Sequence, residues 1–216
     1  MSRAAVALLP LALLAAPAGG AVQHVTIGPQ FAVVDYREVS SGLRYSGSGG
    51  GGVATLTYRR FSLAAAVVRL SLDPTAGSTA GTGFTATQVD AWLAYDVSSY
   101  ASLEVGLIRR TADPEFDAQS LGAVRVGARS SYALGPGATV LLRANYLAAP
   151  QFSGGGRASL SLDVGLGLDV RLLGRLHALA DYAAQRLDRK TDPGGQGEID
   201  APIRQSLARV GLGIGF

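Results

Sequence analysis

The chain has two histidines, His24 and His177, and the second has a carboxylate within reach. If the connection ending at Gly174 is a three-residue turn with Gly174 in the left-handed conformation, Arg171 faces Arg175 across a hairpin and Asp169 faces His177. An aspartate that orients an imidazole beside a serine is the chemistry of acyl transfer. The nearest serine on the same face, Ser161, is eight residues from Asp169, too far along an extended strand to complete a triad. His177 and Asp181 are also too far apart along one face to bond. These groups point to a polar network, and no catalytic residue is assigned.

The arginines suggest other chemistry. Arg129 is expected to face Arg143 across a short connection, and like charges side by side need carboxylates from neighbouring strands, with Glu104 and Asp163 as candidates. If the polar faces enclose a lumen, its lining is Asp90, Glu104, Arg125, Arg129, Arg143, Asp163, Asp169, Arg171, His177, Asp181 and Arg209. Such a lining makes either a narrow anion-preferring pore or an interlocked plug, and the small bore favours the plug. GSGGGG at 47–52 matches a dinucleotide-binding fingerprint, but that motif needs a helix after it. The strand-like VATLTYR follows instead, so the glycines are read as a flexible loop grading into a strand. Asp188, Asp192, Glu198 and Asp200 are oxygen ligands that would suit calcium, yet their spacing fits no calcium loop. They are read as a solvated loop, and no metal or cofactor is expected.

The elements that position these groups follow from a period of two. In ASLSLDVGLGLDVRLL (158–173) every even position from Leu160 to Leu172 is Leu or Val, and the positions between are Ser, Asp, Gly or Arg. Ten strands are predicted, near 24–36, 50–58, 61–72, 84–97, 101–110, 121–134, 138–147, 158–171, 175–186 and 203–216. Eight is the alternative if the weak second and third are misread. Pro29 lies inside the first and counts against an undistorted ladder there. Tight connections (59–60, 98–100, 135–137, 172–174) alternate with long ones (37–49, 73–83, 111–120, 148–157, 187–202). Aromatics gather at both ends: Tyr58, Phe61, Tyr95, Tyr100, Tyr132 and Phe216 near the short turns, Phe31, Tyr36, Phe84, Tyr146 and Tyr182 near the long loops. Two aromatic rings flanking an apolar band are what membrane interfaces select. The apolar faces therefore meet lipid, the polar faces turn inward, and the strands must close because no sheet edge survives in lipid. Trp92 falls on the polar face and has no account at this level.

Residues 1–21 have a positive start, an apolar run and small residues near Ala21, the layout of a secretory signal peptide. Residues 22–216 then form one domain. There are no cysteines, so an exported chain must be stable without disulfides. A net charge of +3 is too small to argue for nucleic acid. Only 16% of residues are charged, which leaves little material for a wetted exterior. A soluble, lipocalin-like exported barrel with its apolar face inward is the competing reading.

The last strand, SLARVGLGIGF, ends on Phe216 with Ile214, Leu212 and Val210 at every second position before it. This resembles the carboxy-terminal signal of bacterial outer-membrane β-barrels. The resemblance implies recognition by the outer-membrane assembly machinery, contact with outer-membrane lipid, and a short-turn end in the periplasm with both termini. The fold expected is all-β, a closed antiparallel up-and-down transmembrane barrel. The function expected is non-enzymatic: a structural or surface-interaction role through the long extracellular loops, whose partner the sequence does not name. A small passive channel with an Arg/Asp-lined lumen is the alternative, and an outer-membrane hydrolase around His177 is a third reading.

Overall fold

The computed structural model describes residues 24–192 and 198–216. The expected signal peptide lies outside the described residues, as does the middle of the fifth long loop. Eleven strands form one antiparallel sheet: β1 (His24–Glu38), β2 (Leu43–Tyr58), β3 (Phe61–Pro74), β4 (Phe84–Asp96), β5 (Ala101–Ala112), β6 (Leu121–Gly135), β7 (Ala138–Phe152), β8 (Arg157–Leu173), β9 (Leu176–Thr191), β10 (Ile199–Asp200) and β11 (Ile203–Gly215). β1 pairs with both β2 and β11, and β11 pairs with β9, so ten strands close into a barrel. The two-residue β10 only extends the β9 edge.

Alternation explains which face is which. Leu103, Val105 and Leu107 on β5 are 59%, 48% and 48% exposed, while Ser102 and Glu104 between and beside them are buried. The same inversion runs round the wall through Leu93, Val126, Leu142, Leu166 and Leu212, all exposed. An apolar band encircling the molecule far exceeds what a soluble surface carries, so these side chains face lipid. Phe61, Tyr95, Tyr100 and Tyr132 are exposed beside the short turns, and Phe31, Tyr146 and Tyr182 bound the band on the other side.

Tyr36 and Phe84 correct the aromatic assignment. Both are buried, because they share inward parity with Val34 and Ala86, and they pack inside the barrel with Tyr45, Leu70, Ile108 and Leu147. The upper lumen thus holds an apolar cluster, set beside buried polar side chains such as Gln88, Arg110 and Gln205. It is filled partly by β3, whose inward face (Ala64, Ala66, Val68, Leu70, Leu72) is as apolar as its outward one.

The connections are corrected too. β1 and β2 pair from His24↔Thr57 as far as Glu38↔Leu43, so the first expected long loop shrinks to 39–42, and the fourth to 153–156. Strands of 12 to 17 residues exceed the roughly 9–11 that cross a membrane. With one aromatic ring set at the short turns, the surplus rises beyond lipid at the long-loop end. The 47–52 glycines lie wholly within β2 and are not a flexible loop. Gly47, Gly49 and Gly51 share the inward parity of Tyr45 and press on β3, so their missing Cβ is a packing requirement. Pro29 behaves as its chemistry demands: the β1–β11 register runs Ile27↔Ile214 and then Gln30↔Gly211, with no pairs between, whereas Pro29↔Gly52 persists on the β2 side.

Candidate functional site

Six charged side chains from six strands meet in mid-lumen. Arg125 (β6) lies 3.2 Å from Asp90 (β4) through Nη2 and 3.0 Å from Asp163 (β8) through Nε. Arg143 (β7) lies 3.8 Å from Asp163 and 2.7 Å from Asp181 (β9). Arg209 (β11) joins Asp181 at 2.5 Å and Asp90 at 2.9 Å. The circuit Asp90–Arg125–Asp163–Arg143–Asp181–Arg209 therefore closes on itself, with alternating sign and equal numbers of each charge. Each guanidinium touches two carboxylates and each carboxylate two guanidiniums. Burial makes this balance necessary, since Asp90, Asp163 and Arg125 are at most 1% exposed and a lone charge there would be untenable.

Local sequence makes the room. Gly165 sits opposite Arg143, where a Cβ would meet its Nε at 2.6 Å. Asn145 and Gln185 donate to Asp163 at 3.5 and 3.3 Å. Trp92 gains an account as well: its ring lies on the inner wall with the Arg125 guanidinium 6.0 Å from the ring centre, a cation–π contact.

The network climbs from the ring to the long-loop mouth. Gln88 donates to Asp90 at 3.1 Å and accepts from Gln205 at 2.9 Å, and Arg110 reaches Gln205 and the Gln119 carbonyl. Tyr36 donates to Gln119 Oε1 at 2.7 Å. Gln119 ends a short 3-10 turn, Pro114–Gln119, whose Phe116 stacks on Phe84 with ring centres 5.0 Å apart. The third loop therefore folds over the mouth. Arg189 secures the fourth, donating to the Gly154 and Gly155 carbonyls at 2.8 and 2.9 Å.

The remaining residues lie toward the short-turn end. Glu104 is buried but accepts from Asn145 at 3.0 Å and, among the described residues, joins no arginine, so of its two expected carboxylates Arg143 finds only Asp163; Asp181 is the other partner. Arg129 does stand opposite Arg143, and both line a cavity of ≈ 270 Å³ with Glu104 and Asp169. Arg171 is exposed at the short-turn end and pairs with His177, not Arg175. An irregularity between Arg171 and Leu173 leaves a tighter turn at Gly174–Arg175 and moves the register by two. Gly174 keeps its positive φ of 54°, and Asp169 still meets His177 Nδ1 diagonally, at 2.7 Å. His24 lies against His177, ring centres 5.4 Å apart, and contacts Thr26 Oγ1 at 2.8 Å. Among the described residues no serine bonds to either imidazole, and no group of acidic or histidine side chains has the geometry of a metal site.

A closed barrel with a lipid-facing apolar wall and a charge-compensated interior is a membrane-spanning β-barrel, and its fold is that of the bacterial outer-membrane class. The Escherichia coli outer-membrane protease OmpT superposes with a TM-score of 0.51 at 10% identity, covering 92% of this chain and 98% of its own. Neisserial surface protein A gives 0.43 at 13% identity over 88% and 96% of the two chains. The attachment invasion locus protein Ail of Yersinia pestis gives 0.41 at 12% over 89% and 98%. No protein-family model matches the chain, and no curated protein matches it in sequence. Identities this low speak for the fold alone.

Proposed function

We propose that the protein is a non-conducting, non-enzymatic barrel of the bacterial outer membrane that holds its long-loop end outside the cell as a rigid platform for surface interaction. The observation that carries this reading is the filled lumen: an apolar core above, a neutral charge ring below it, and the 3-10 turn across the mouth. A solute path would have to break all three. The strand surplus beyond the aromatic ring raises the platform clear of lipid, and function on a rigid scaffold gathers at such loops. The leader sequence and the Phe216 signal support export and assembly with both termini in the periplasm. His177 and Asp169 are read as a structural pair, because among the described residues no serine bonds to the imidazole.

The absence of native cysteine makes the test direct. Ala76 is exposed in the second long loop and Ser99 in a short turn. On intact cells, a bulky impermeant maleimide should label A76C and not S99C, and attachment of the expressing cells, measured against cells lacking the protein, should be lost once A76C is labelled. Labelling of S99C alone would reverse the orientation, and attachment unaffected by label at Ala76 would overturn the platform role.

A further inference from the structure

Four arginines stand in one row on the outer wall. The register pairs Arg44 with Arg37, Arg37 with Arg204, and Arg204 with Arg186, so β2, β1, β11 and β9 each contribute one. Their neighbours in sequence (Tyr36, Tyr45, Gln185, Gln205) are buried in the lumen, which turns all four arginines outward, where they are exposed. Like charges placed directly opposite destabilise a sheet, and no feature of the barrel interior calls for them. Local compensation is incomplete. Asp35 lies 3.3 Å from Arg37, and Asp188 accepts from Arg186 at 2.9 and 3.2 Å. Among the described residues, Arg44 and Arg204 have no carboxylate at ion-pair distance.

The row edges a groove of ≈ 580 Å³ on the same wall, which also takes in Leu162, Val164 and Ala184. Its position along the barrel is fixed by Tyr182, which lies four residues nearer the apolar band than Arg186 on the same face of β9. That spacing is roughly 13 Å along a strand, which sets the Arg186 guanidinium at headgroup depth just beyond the aromatic ring. A cationic row level with Leu162, with Val164 and Ala184 a step nearer the apolar band, matches a lipid that carries phosphate on its headgroup and acyl chains beneath it. Guanidinium is suited to this, because its planar fork binds phosphate oxygens in pairs. We propose that the row Arg44–Arg37–Arg204–Arg186 is a binding site for a lipid that carries more than one phosphate on its headgroup, in the leaflet at the long-loop end.

The test uses the full mature chain refolded in phosphatidylcholine vesicles, with and without diphosphorylated lipid A. Expected is a raised thermal unfolding midpoint with the phosphorylated lipid, and lipid retained through purification. The R44Q/R204Q variant removes the two uncompensated charges and touches nothing in the lumen; it should lose the shift and about tenfold in affinity. An R69Q/R109Q control, altering outward arginines elsewhere on the wall, should keep both. The site is refuted if R44Q/R204Q retains the full shift, or if dephosphorylated lipid A works equally well. An equal shift from free inorganic phosphate would show a simple anion site and overturn the lipid assignment.

Discussion

Asp163→Ala is expected to destabilise the barrel by about 3–5 kcal/mol, the cost of leaving buried charge without its partner. Asp163 is fully buried and stands between Arg125 and Arg143, so its removal opens the ring at that point. Arg125 then keeps only Asp90, Arg143 keeps only Asp181, and the lumen carries a net positive charge in a medium that screens it weakly. The Asn145 and Gln185 amides lose an acceptor as well. Removing both members of one link, as in R125M/D163L, keeps the circuit neutral and should cost far less than the single change. Trp92 is the only tryptophan and lies against Arg125, so its fluorescence during urea unfolding reports from the ring itself. An unfolding midpoint for Asp163→Ala equal to that of the native chain would show that the ring does not hold the barrel together.

The second large effect is expected in β2 and should alternate with a period of two. A Cβ on Gly49 or Gly51 would fall 1.8 Å from the Arg69 or Val67 carbonyl oxygen, and one on Gly47 2.0 Å from that of Ser71. These are backbone atoms of the paired strand, so no rotamer relieves the clash, and the β2–β3 ladder must shift. On the outward face, Gly50 and Gly52 have nothing nearer than 3.8 and 3.6 Å. Gly51→Ala should therefore cost about 1–3 kcal/mol or more and deplete the heat-modifiable folded band on unheated gels. Gly50→Ala should leave that band intact. Equal losses at Gly50 and Gly51 would contradict the close approach of β2 to β3.

Much of this architecture is legible in the residues, because one period of two determines both the wall and the lining. The lipid-facing leucines of β8 and the ten-strand count follow from alternation and turn chemistry alone. Parity also carried information that end position obscured. Phe31 and Tyr36 are five residues apart on one strand, so both cannot face lipid, and the same count separates Phe84 from Val89. β3 resists assignment because Ala, Val and Leu occupy both of its faces. That apolar inner face is what fills the upper lumen.

The ring pairings lie beyond such reading. All six members are recognisable as inward charges, but which carboxylate meets which guanidinium depends on the stagger of a closed sheet. Asp90 and Asp181 meet Arg209 from β4 and β9, and Glu104, though on the strand beside β6, meets Asn145 and, among the described residues, no arginine. The glycine run misleads for a related reason. Its composition suggests a loop, and only the nearness of the β3 carbonyls shows why a strand there must lack side chains. Near Gly174 a single irregularity moves the register by two, yet the Asp169–His177 contact survives as a diagonal pair.

The central claim is that the lumen is closed by its own side chains, and ion conductance tests it most directly. The chain from residue 22 to 216, refolded and inserted in a planar bilayer, should give no unitary current at any holding potential the bilayer tolerates. Steady ohmic steps from the native barrel would show a continuous water path through ring and core, and would contradict the account.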